Sequence, residues 1–298
     1  MGISGGLDSS YLAYLGTKWG LRILAIHIDD GFNSEIAIKN IRNIEKTCNL
    51  EIAHVKPDRE QYFDLTKAFF MAGVPNLAIP QDNLIFAYIY ELSKKHDIKN
   101  FLSGGNFALE SILQKGNTNS ALDKRHIFDV NKKYGTTSLN KLKITSSFER
   151  KIKDQMVLKI NEYRPLNYID YNKAKALKEL EEYCDYNYYG GKHYESILTM
   201  FMQKYYLPQK FNVDKRSSHL SSLIIVNQIS REEALEELKK PLINDNELEE
   251  LIKAFIERIN ISRDEFNSIM KSEPIDHTCY KTSLWKYVSL FVRKIRRY

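Results

Sequence analysis

The sequence predicts an α/β fold, in which a parallel sheet with helices on both faces is followed by a smaller, mainly helical C-terminal region. In the first half, short apolar runs of strand length alternate with amphipathic helical patterns, which is typical of a parallel sheet covered by helices. Beyond about Tyr163 only short helical patterns remain. The chain of 298 residues is long enough for two domains, and we expect them at residues 1–155 and 156–298.

The elements of the first half follow in order along the chain. A short helix over residues 8–18 precedes the apolar run LRILAIHI at 21–28, which has the length and composition of a buried strand. The next patterns predict a helix at 37–48, a strand at 50–56, a helix at 58–72, a helix after residue 82 and a strand at 100–103. The polar stretch 115–143 has weak periodicity, and we expect a long excursion or a lid there.

Two capping boxes mark helices of the second half. Ser230 is followed three residues later by Glu233, and Ser262 by Glu265. In this motif each side chain accepts a hydrogen bond from a backbone amide that the start of a helix leaves unpaired. We therefore expect one helix to begin after Ser230 and another after Ser262.

Composition limits the class of protein. No apolar run approaches the roughly 18–20 residues that span a bilayer, so no membrane span is expected. The three cysteines stand far apart and no secretory leader pattern opens the chain, which favours a cytoplasmic protein without disulfides. The net charge of +6 is spread out except in RKIRRY at 293–298, so a nucleotide or phosphorylated sugar fits as well as nucleic acid, and nucleic acid is not the favoured partner.

The stretch ISGGLDSSYL, residues 3–12, places glycines and hydroxyls where a strand turns into a helix. Gly5 and Gly6 allow positive φ angles and a close approach of the backbone to a ligand. Hydroxyl groups beside the free amides of the helix start come from Ser4, Ser9 and Ser10. The helix dipole favours an anion there, so the sequence predicts a phosphate site. Asp8 would repel phosphate unless a divalent cation lies between them.

The loop resembles that of the PP-loop ATP pyrophosphatases, whose SGGxDS signature is met by Ser4, Gly5, Gly6, Asp8 and Ser9. It lacks the lysine of the G-x-x-x-x-G-K-[ST] loop, so transfer of the γ-phosphoryl group is not expected. The resemblance implies that the loop holds the β- and γ-phosphates as a pyrophosphate leaving group while ATP adenylates a carbonyl-type oxygen. A glycine turn with a serine cap is the alternative explanation of the same letters.

Two further turns follow predicted strands, at the sheet edge where open α/β folds bind ligands. In DDGFNS, Asp30 and its neighbour Asp29 are candidates to hold ribose or a substrate hydroxyl, or form a plain turn. In SGGNFALE, residues 103–110, Gly104 and Asn106 are candidates for the ATP site. The resemblance implies that Glu110 joins Asp8 on Mg²⁺; a glutamate that interacts with the helix dipole is the alternative.

Two blocks of the second half narrow the substrate. YYGGKHYES, residues 188–196, and LPQKFNVDKRSSHLSSLI, residues 207–224, concentrate glycine, histidine, lysine and arginine. Together with the loop they resemble the N-acetyl sugar amidotransferases over nearly the whole chain. The resemblance implies that ATP activates the acetamido oxygen of an amino sugar, possibly nucleotide-linked, and that ammonia replaces it, in surface polysaccharide or related sugar biosynthesis.

Basic side chains in these blocks are the catalytic candidates. Lys192, Lys215 and Arg216 are candidates to neutralise charge on the leaving pyrophosphate. His193 and His219 are candidates to move protons or bind substrate. Solvated lysines and packed histidines are the alternatives. Sugar stacking, or core packing, is expected of Tyr188, Tyr189 and Tyr194.

The sequence departs from these relatives in two ways. Only residues 1–3 precede Ser4, and no C-x-x-C pair resembling the relatives' zinc site is present, so we expect a shortened first strand. No cysteine has the context of a glutaminase nucleophile, so a separate glutaminase subunit is expected to supply ammonia. A PP-loop enzyme that modifies tRNA and an inactive, shortened assembly subunit are the alternative functions.

Overall fold

The computed structural model describes residues 1–113 and 119–283. It confirms the predicted fold class, because parallel strand pairs and helices make up the first half and helices dominate the second. The basic run at 293–298 and part of the stretch 115–143 lie outside the described residues. Within the described ranges, every helix is too short or too polar to cross a bilayer.

In the part of the chain that the structure describes, four short strands form two parallel pairs. Strands β1 (Leu24–Ile28) and β2 (Glu51–Val55) pair in parallel, as do β3 (Asn100–Leu102) and β4 (Asn161–Tyr163). The first residues of the chain run along β1 as a strand stub: Ile26 donates to the Met1 carbonyl at 2.8 Å, and Ile3 donates to the Ile26 carbonyl at 2.9 Å. Main-chain pairing with β1 therefore fixes the position and direction of the chain where the loop begins at Ser4.

The helices occupy most of the remaining chain. They are α1 (Leu7–Lys18), α2 (Glu35–Thr47), α3 (Arg59–Met71), α4 (Ile79–Lys95), α5 (Phe107–Glu110), α6 (Lys124–Tyr134), α7 (Lys173–Cys184), α8 (Ile197–Phe201), α9 (Leu207–Phe211), α10 (Arg216–Ile225), α11 (Arg231–Lys239), α12 (Asp245–Ile259) and α13 (Arg263–Lys271). Segments Glu149–Val157 and Met202–Tyr206 are π-helical, and Pro165–Asn167 and His277–Cys279 form 3₁₀ turns. Both predicted capping boxes are present, at the starts of α11 and α13.

Two local predictions differ from the structure, and one short strand has no counterpart among the predicted elements. Helix α4 begins at Ile79 rather than after Asp82, since Pro80 fits the first turn, where the missing proline N–H is not needed. The polar stretch 115–143 contains α6, which begins after the Asp123 cap, so it is not a continuous irregular excursion. Strand β4 is only three residues long and is exposed at both ends, so it carries no alternating apolar pattern in the sequence.

The two largest clusters of buried apolar side chains fill most of the interior of the described chain. The first is rich in aromatic rings, and within it Phe201 stacks on Phe255 with ring centroids 3.9 Å apart. The second lies between α1, α2 and α7 and includes Leu12, Ile44 and Leu180. Each cluster combines residues from before and after residue 155, and the division at that position stays a prediction.

A buried histidine pair joins α6 to the described C-terminal residues. His126 is fully buried, and its Nε2 lies 3.1 Å from Nδ1 of His277. Burial lowers the pKa of His126 below the ordinary 6.5, although the carboxylates of Asp123 and Asp129 oppose the shift. Because the unfolded chain then binds the proton more tightly, this contribution to stability is present above the ordinary pKa and is lost as pH falls below it.

We therefore expect His126→Gln to reduce the acid sensitivity of folding. The free energy of unfolding in urea, compared at about pH 7.5 and about pH 5.5, should fall less for the variant than for the unmodified protein. His96→Gln changes an exposed histidine and should keep the full acid sensitivity. Equal losses in both variants would assign the effect to other groups.

Candidate functional site

A cavity of about 1310 Å³ lies at the carboxyl ends of β1 and β3. Its walls come from the opening loop, the start of α4, the turn before α5, the loop 188–196 and α10. Residues far apart in sequence therefore share one site. Most of the predicted ATP-binding residues line it, namely Ser4, Gly6, Asp8, Ser9, Asp30, Gly104 and Asn106. Gly5 and Ser10 lie behind the lining, and Ser10 is fully buried.

The opening loop is fixed by backbone contacts that leave no room for side chains. Gly5 has a φ of +76°, and a Cβ there would lie 2.4 Å from the Ala37 carbonyl oxygen. The Gly5 carbonyl accepts hydrogen bonds from Asn40 Nδ2 at 3.3 Å and from the Tyr186 hydroxyl at 3.1 Å. The loop therefore packs tightly against α2 at Ala37, and Asn40 and Tyr186 hold the Gly5 carbonyl in place.

Two glycines border the start of α1: Gly6 in the opening loop and Gly104 in the turn before α5. Gly6 is the N-cap residue and supplies no side-chain hydrogen bond, while the Leu7 amide donates to the Tyr189 hydroxyl at 2.9 Å. A Cβ on Gly104 would lie 3.2 Å from the Ser9 nitrogen. The absence of this atom leaves a concave space at the helix start, as a bound phosphate requires.

A cluster of charged side chains lies beside this helix start. The Lys192 ammonium contacts Asp8 Oδ2 and lies 3.0 Å from Glu110 Oε1. His193 lies between two carboxylates, with Nε2 3.7 Å from Glu110 and Nδ1 3.6 Å from Glu195. We call these five residues the charged cluster. The Tyr171 hydroxyl donates to Asp8 Oδ1 at 2.5 Å and Ser4 Oγ donates to Glu195 at 3.2 Å, so the cluster is tied to the opening loop.

The charges of the cluster stabilise one another. Burial opposes the charged form of Lys192, but Asp8 and Glu110 raise its pKa above the ordinary value. Burial and Lys192 oppose protonation of His193, but the nearby carboxylates of Glu110 and Glu195 outweigh them and raise its pKa to about 9. Solvent reaches 44% of the His193 side chain and screens part of this effect. The carboxylates of Glu110 and Glu195 have a pKa below their ordinary range, because the positive charges of His193 and Lys192 outweigh the effect of burial.

The loop 188–196 owes its shape to glycines and to main-chain pairing. Gly190 has a φ of +88°, and a Cβ on Gly191 would lie 2.1 Å from the ring of Tyr194. The Ser34 amide donates to the Glu195 carbonyl at 2.9 Å, and the Ile197 amide donates to the Phe32 carbonyl at 2.7 Å. These two bonds fix the charged cluster against the turn that follows β1.

Asp30 forms a buried hydrogen-bonded hub in that turn. Its carboxylate accepts from the Phe32 amide at 2.9 Å, the Tyr62 hydroxyl at 3.1 Å and Gln81 Nε2 at 2.6 Å. Burial raises its pKa, although these donors oppose the shift. Asp29 instead pairs with Arg59 at 3.2 Å and does not line the cavity. Asp30 thus braces the turn and also borders the cavity.

The candidates around α10 have different surroundings. Arg216 makes a bidentate pair with Asp214 and donates to main-chain carbonyls at the end of α11, so it holds α10 against α11. Lys215 lines the cavity, and burial lowers its pKa. His219 also lines the cavity, where burial and the nearby cations lower its pKa to about 3 and keep the imidazole neutral at pH 7.

Sequence reasoning missed several residues of the site. Glu195 lies two residues after the predicted His193, but a lone glutamate carries no motif. Tyr171 and Tyr189 bind the opening loop, although tyrosines are common in this chain and no spacing distinguishes them. Asp82 lines the cavity from the first turn of α4, and the Pro80 signal for a helix start was the available pointer.

The predicted Mg²⁺ ligands fit a cation. In residues 1–113 and 119–283 no three His, Cys, Asp or Glu side chains converge into a metal site. The Asp8 and Glu110 carboxylates nevertheless converge on one point, where the Lys192 ammonium lies. Oxygen donors arranged in this way are what Mg²⁺ prefers, with water or phosphate oxygens as the other ligands. The residues present therefore suit the ion.

Comparison with known families gives one match. Residues 195–293 match the family model described as "LPS biosynthesis protein WbpG-like, C-terminal domain". The match begins at Glu195 of the charged cluster and includes Lys215, Arg216 and His219. No curated protein matches the chain. The family match supports a role in polysaccharide biosynthesis, which is the broader part of the predicted function.

Proposed function

We propose that this protein is an ATP-dependent amidotransferase of polysaccharide biosynthesis. It adenylates the acetamido oxygen of an N-acetylated amino sugar and replaces that oxygen with ammonia, forming AMP and pyrophosphate. One observation carries the proposal: the concave, glycine-lined start of α1 lies directly beside the charged cluster, in the cavity that the family-matched region also lines.

The opening loop is suited to the triphosphate. Ser4, Gly6 and Ser9 line the cavity around the amides of the helix start, where the helix dipole favours an anion. Asp8 and Glu110 would hold Mg²⁺, which supplies positive charge between carboxylate and phosphate. Apolar side chains elsewhere on the wall, Ile28, Ile85, Ile89 and Phe101, suit a flat adenine ring.

Lys192 supplies the charge that the leaving group needs. Breaking the α–β linkage of ATP builds negative charge on pyrophosphate, and a fixed cation stabilises that charge most strongly where water is excluded. The Lys192 side chain is only 11% exposed and its pKa is raised, so it remains an ammonium throughout the neutral pH range. Lys215 also lines the cavity as a second cation.

Adenylation makes the replacement of oxygen possible. An amide oxygen is a poor leaving group, whereas AMP is a good one. Ammonia then attacks the carbon of the adenylated acetamido group, and the oxygen leaves as part of AMP. Cys48 and Cys184 are buried and none of the three cysteines lines the cavity, so we propose that a separate glutaminase subunit supplies the ammonia.

The proposal is tested by incubating the protein with ATP, Mg²⁺, ammonium and a panel of acetamido sugars, free and nucleotide-linked. We expect sugar-dependent exchange of labelled pyrophosphate into ATP, and AMP formation that requires both sugar and ammonium. Mass spectrometry should show a product in which NH has replaced O. Formation of ADP and orthophosphate would contradict the proposal, and AMP formation that depends on tRNA instead of sugar would favour the tRNA-modifying alternative.

A further inference from the structure

One carboxylate in the cavity has no hydrogen-bond or ion-pair partner within residues 1–113 and 119–283. Asp82 lines the cavity from the first turn of α4, and no hydrogen bond or ion pair joins its side chain to any other described residue. The other carboxylates that line the cavity each have a donor or a cation within contact distance; these are Asp8, Asp30, Glu110, Glu195, Glu233 and Glu237. A bare carboxylate is unexpected in a cavity suited to phosphates, because like charges repel. It therefore needs a cationic ligand.

The backbone around Asp82 is held firmly. The neighbouring Gln81 donates through Nε2 to Asp30 at 2.6 Å and to Ser196 Oγ at 3.2 Å, and its Oε1 accepts from Thr199 at 3.5 Å. These contacts connect the start of α4 to the start of α8, which directly follows the charged cluster. Asp82 is thus held in a fixed position relative to His193 and Glu110.

The electrostatic surroundings suit proton transfer. Burial raises the pKa of Asp82 to about 6; Glu110 acts in the same direction, while His193 opposes it. A carboxyl group whose pKa lies near the working pH exchanges protons efficiently, because both of its forms are accessible. The neighbouring His193 does not compete for this role, since its two carboxylate partners keep it protonated.

We propose that Asp82 binds the incoming ammonium ion and accepts its proton, so that neutral ammonia is released next to the adenylated sugar. This assignment rests on the amidotransferase function proposed above. Asp82 is then the group that binds ammonium in the site, which explains why a carboxylate without a partner among the described residues lies beside the charged cluster.

The proton and electron balance is complete. Ammonium gives one proton to the Asp82 carboxylate, and the freed nitrogen lone pair forms a C–N bond to the acetamido carbon. The C–O bond to AMP then breaks, and AMP leaves with the oxygen and the bonding electron pair. The added nitrogen loses a second proton to solvent, leaving an amidinium group, and Asp82 returns its proton to water before the next turnover.

Asp82→Asn separates this role from adenylation. We expect sugar-dependent pyrophosphate exchange to remain close to that of the unmodified protein, while kcat/KM for ammonium at neutral pH falls about 100-fold. Hydroxylamine is largely unprotonated at neutral pH and needs no base for activation, so it should restore AMP formation in the variant. Glu91→Gln is the matched control, because Glu91 lies on the exposed side of the same helix and pairs with Lys143.

The outcomes are distinguishable. If Asp82→Asn uses ammonium as well as the unmodified protein does, or loses hydroxylamine and ammonium activity equally, the assignment of Asp82 is overturned. Loss of pyrophosphate exchange would also overturn it, in favour of a role in binding Mg²⁺ or in folding. If the unmodified protein itself shows no exchange with any acetamido sugar, the proposed function fails together with this inference.

Discussion

Replacing Gly5 with alanine should destabilise the protein and abolish ATP binding. Gly5 has a φ of +76°, which costs an alanine about 1–2 kcal/mol. The added Cβ would also lie 2.4 Å from the Ala37 carbonyl oxygen, and relieving that clash by moving backbone costs about 1–3 kcal/mol more. Since the same movement displaces the amides at the start of α1, the proposed phosphate site should be lost with it.

Gly20→Ala is the matched control for Gly5→Ala. Gly20 has a similar φ of +69°, but no atom lies within 4 Å of a Cβ built there. The Gly20→Ala variant should therefore lose about 1–2 kcal/mol of unfolding free energy, from the backbone conformation alone, and bind ATP as the unmodified protein does. Urea denaturation and calorimetric titration with ATP and Mg²⁺ measure both effects. Equal losses of stability in the two variants, or normal ATP binding by Gly5→Ala, would contradict the role of the tight contact with α2.

Asp8→Asn should reduce sugar-dependent AMP formation by about 100-fold or more, as expected when a site loses one preorganised charge. Asparagine keeps the shape of the side chain and can still accept the hydrogen bond from Tyr171. It removes the charge that pairs with Lys192 and that would hold Mg²⁺ with Glu110. The loss should therefore appear in pyrophosphate exchange, in contrast to Asp82→Asn, and in a weaker dependence on Mg²⁺.

A surface carboxylate provides the control for Asp8→Asn. Asp97 has a side chain that is 86% exposed, pairs with Lys99 and has a positive φ that asparagine tolerates, so Asp97→Asn should leave exchange unchanged. Circular dichroism and the urea midpoint show whether Asp8→Asn is folded. A folded Asp8→Asn protein with undiminished exchange would remove Asp8 from the proposed site.

The features that the sequence predicts correctly are local ones. The glycine loop before α1, the run that becomes β1 and the capping boxes of α11 and α13 each depend on neighbours within a few positions. Helix α6 shows the limit of this approach, since its polar composition hides the buried face formed by Ile127 and Val130.

The site depends on contacts between residues distant in sequence, and these are harder to anticipate. Lys192 and Asp8 are 184 positions apart in the sequence, so no rule of residue spacing predicts that they pair. Arg216 is a catalytic candidate by residue type and lines the cavity, and its guanidinium also contacts Asp214 and carbonyls of α11, contacts that only the fold defines. The unpaired state of Asp82 is likewise a property of its surroundings rather than of its local sequence.

The pairing of residues 32–34 with 195–197 limits how reactants enter. Moving the turn at residues 32–34 away from residues 195–197 would break the main-chain hydrogen bonds from Ser34 to Glu195 and from Ile197 to Phe32. Entry that leaves these bonds intact depends on rotation of individual side chains, and Lys192 would have to move away from Asp8 and Glu110 before Mg²⁺ could bind these two carboxylates. The protein should show little change in overall shape when it takes up nucleotide, with the rearrangement confined to a few rotamers.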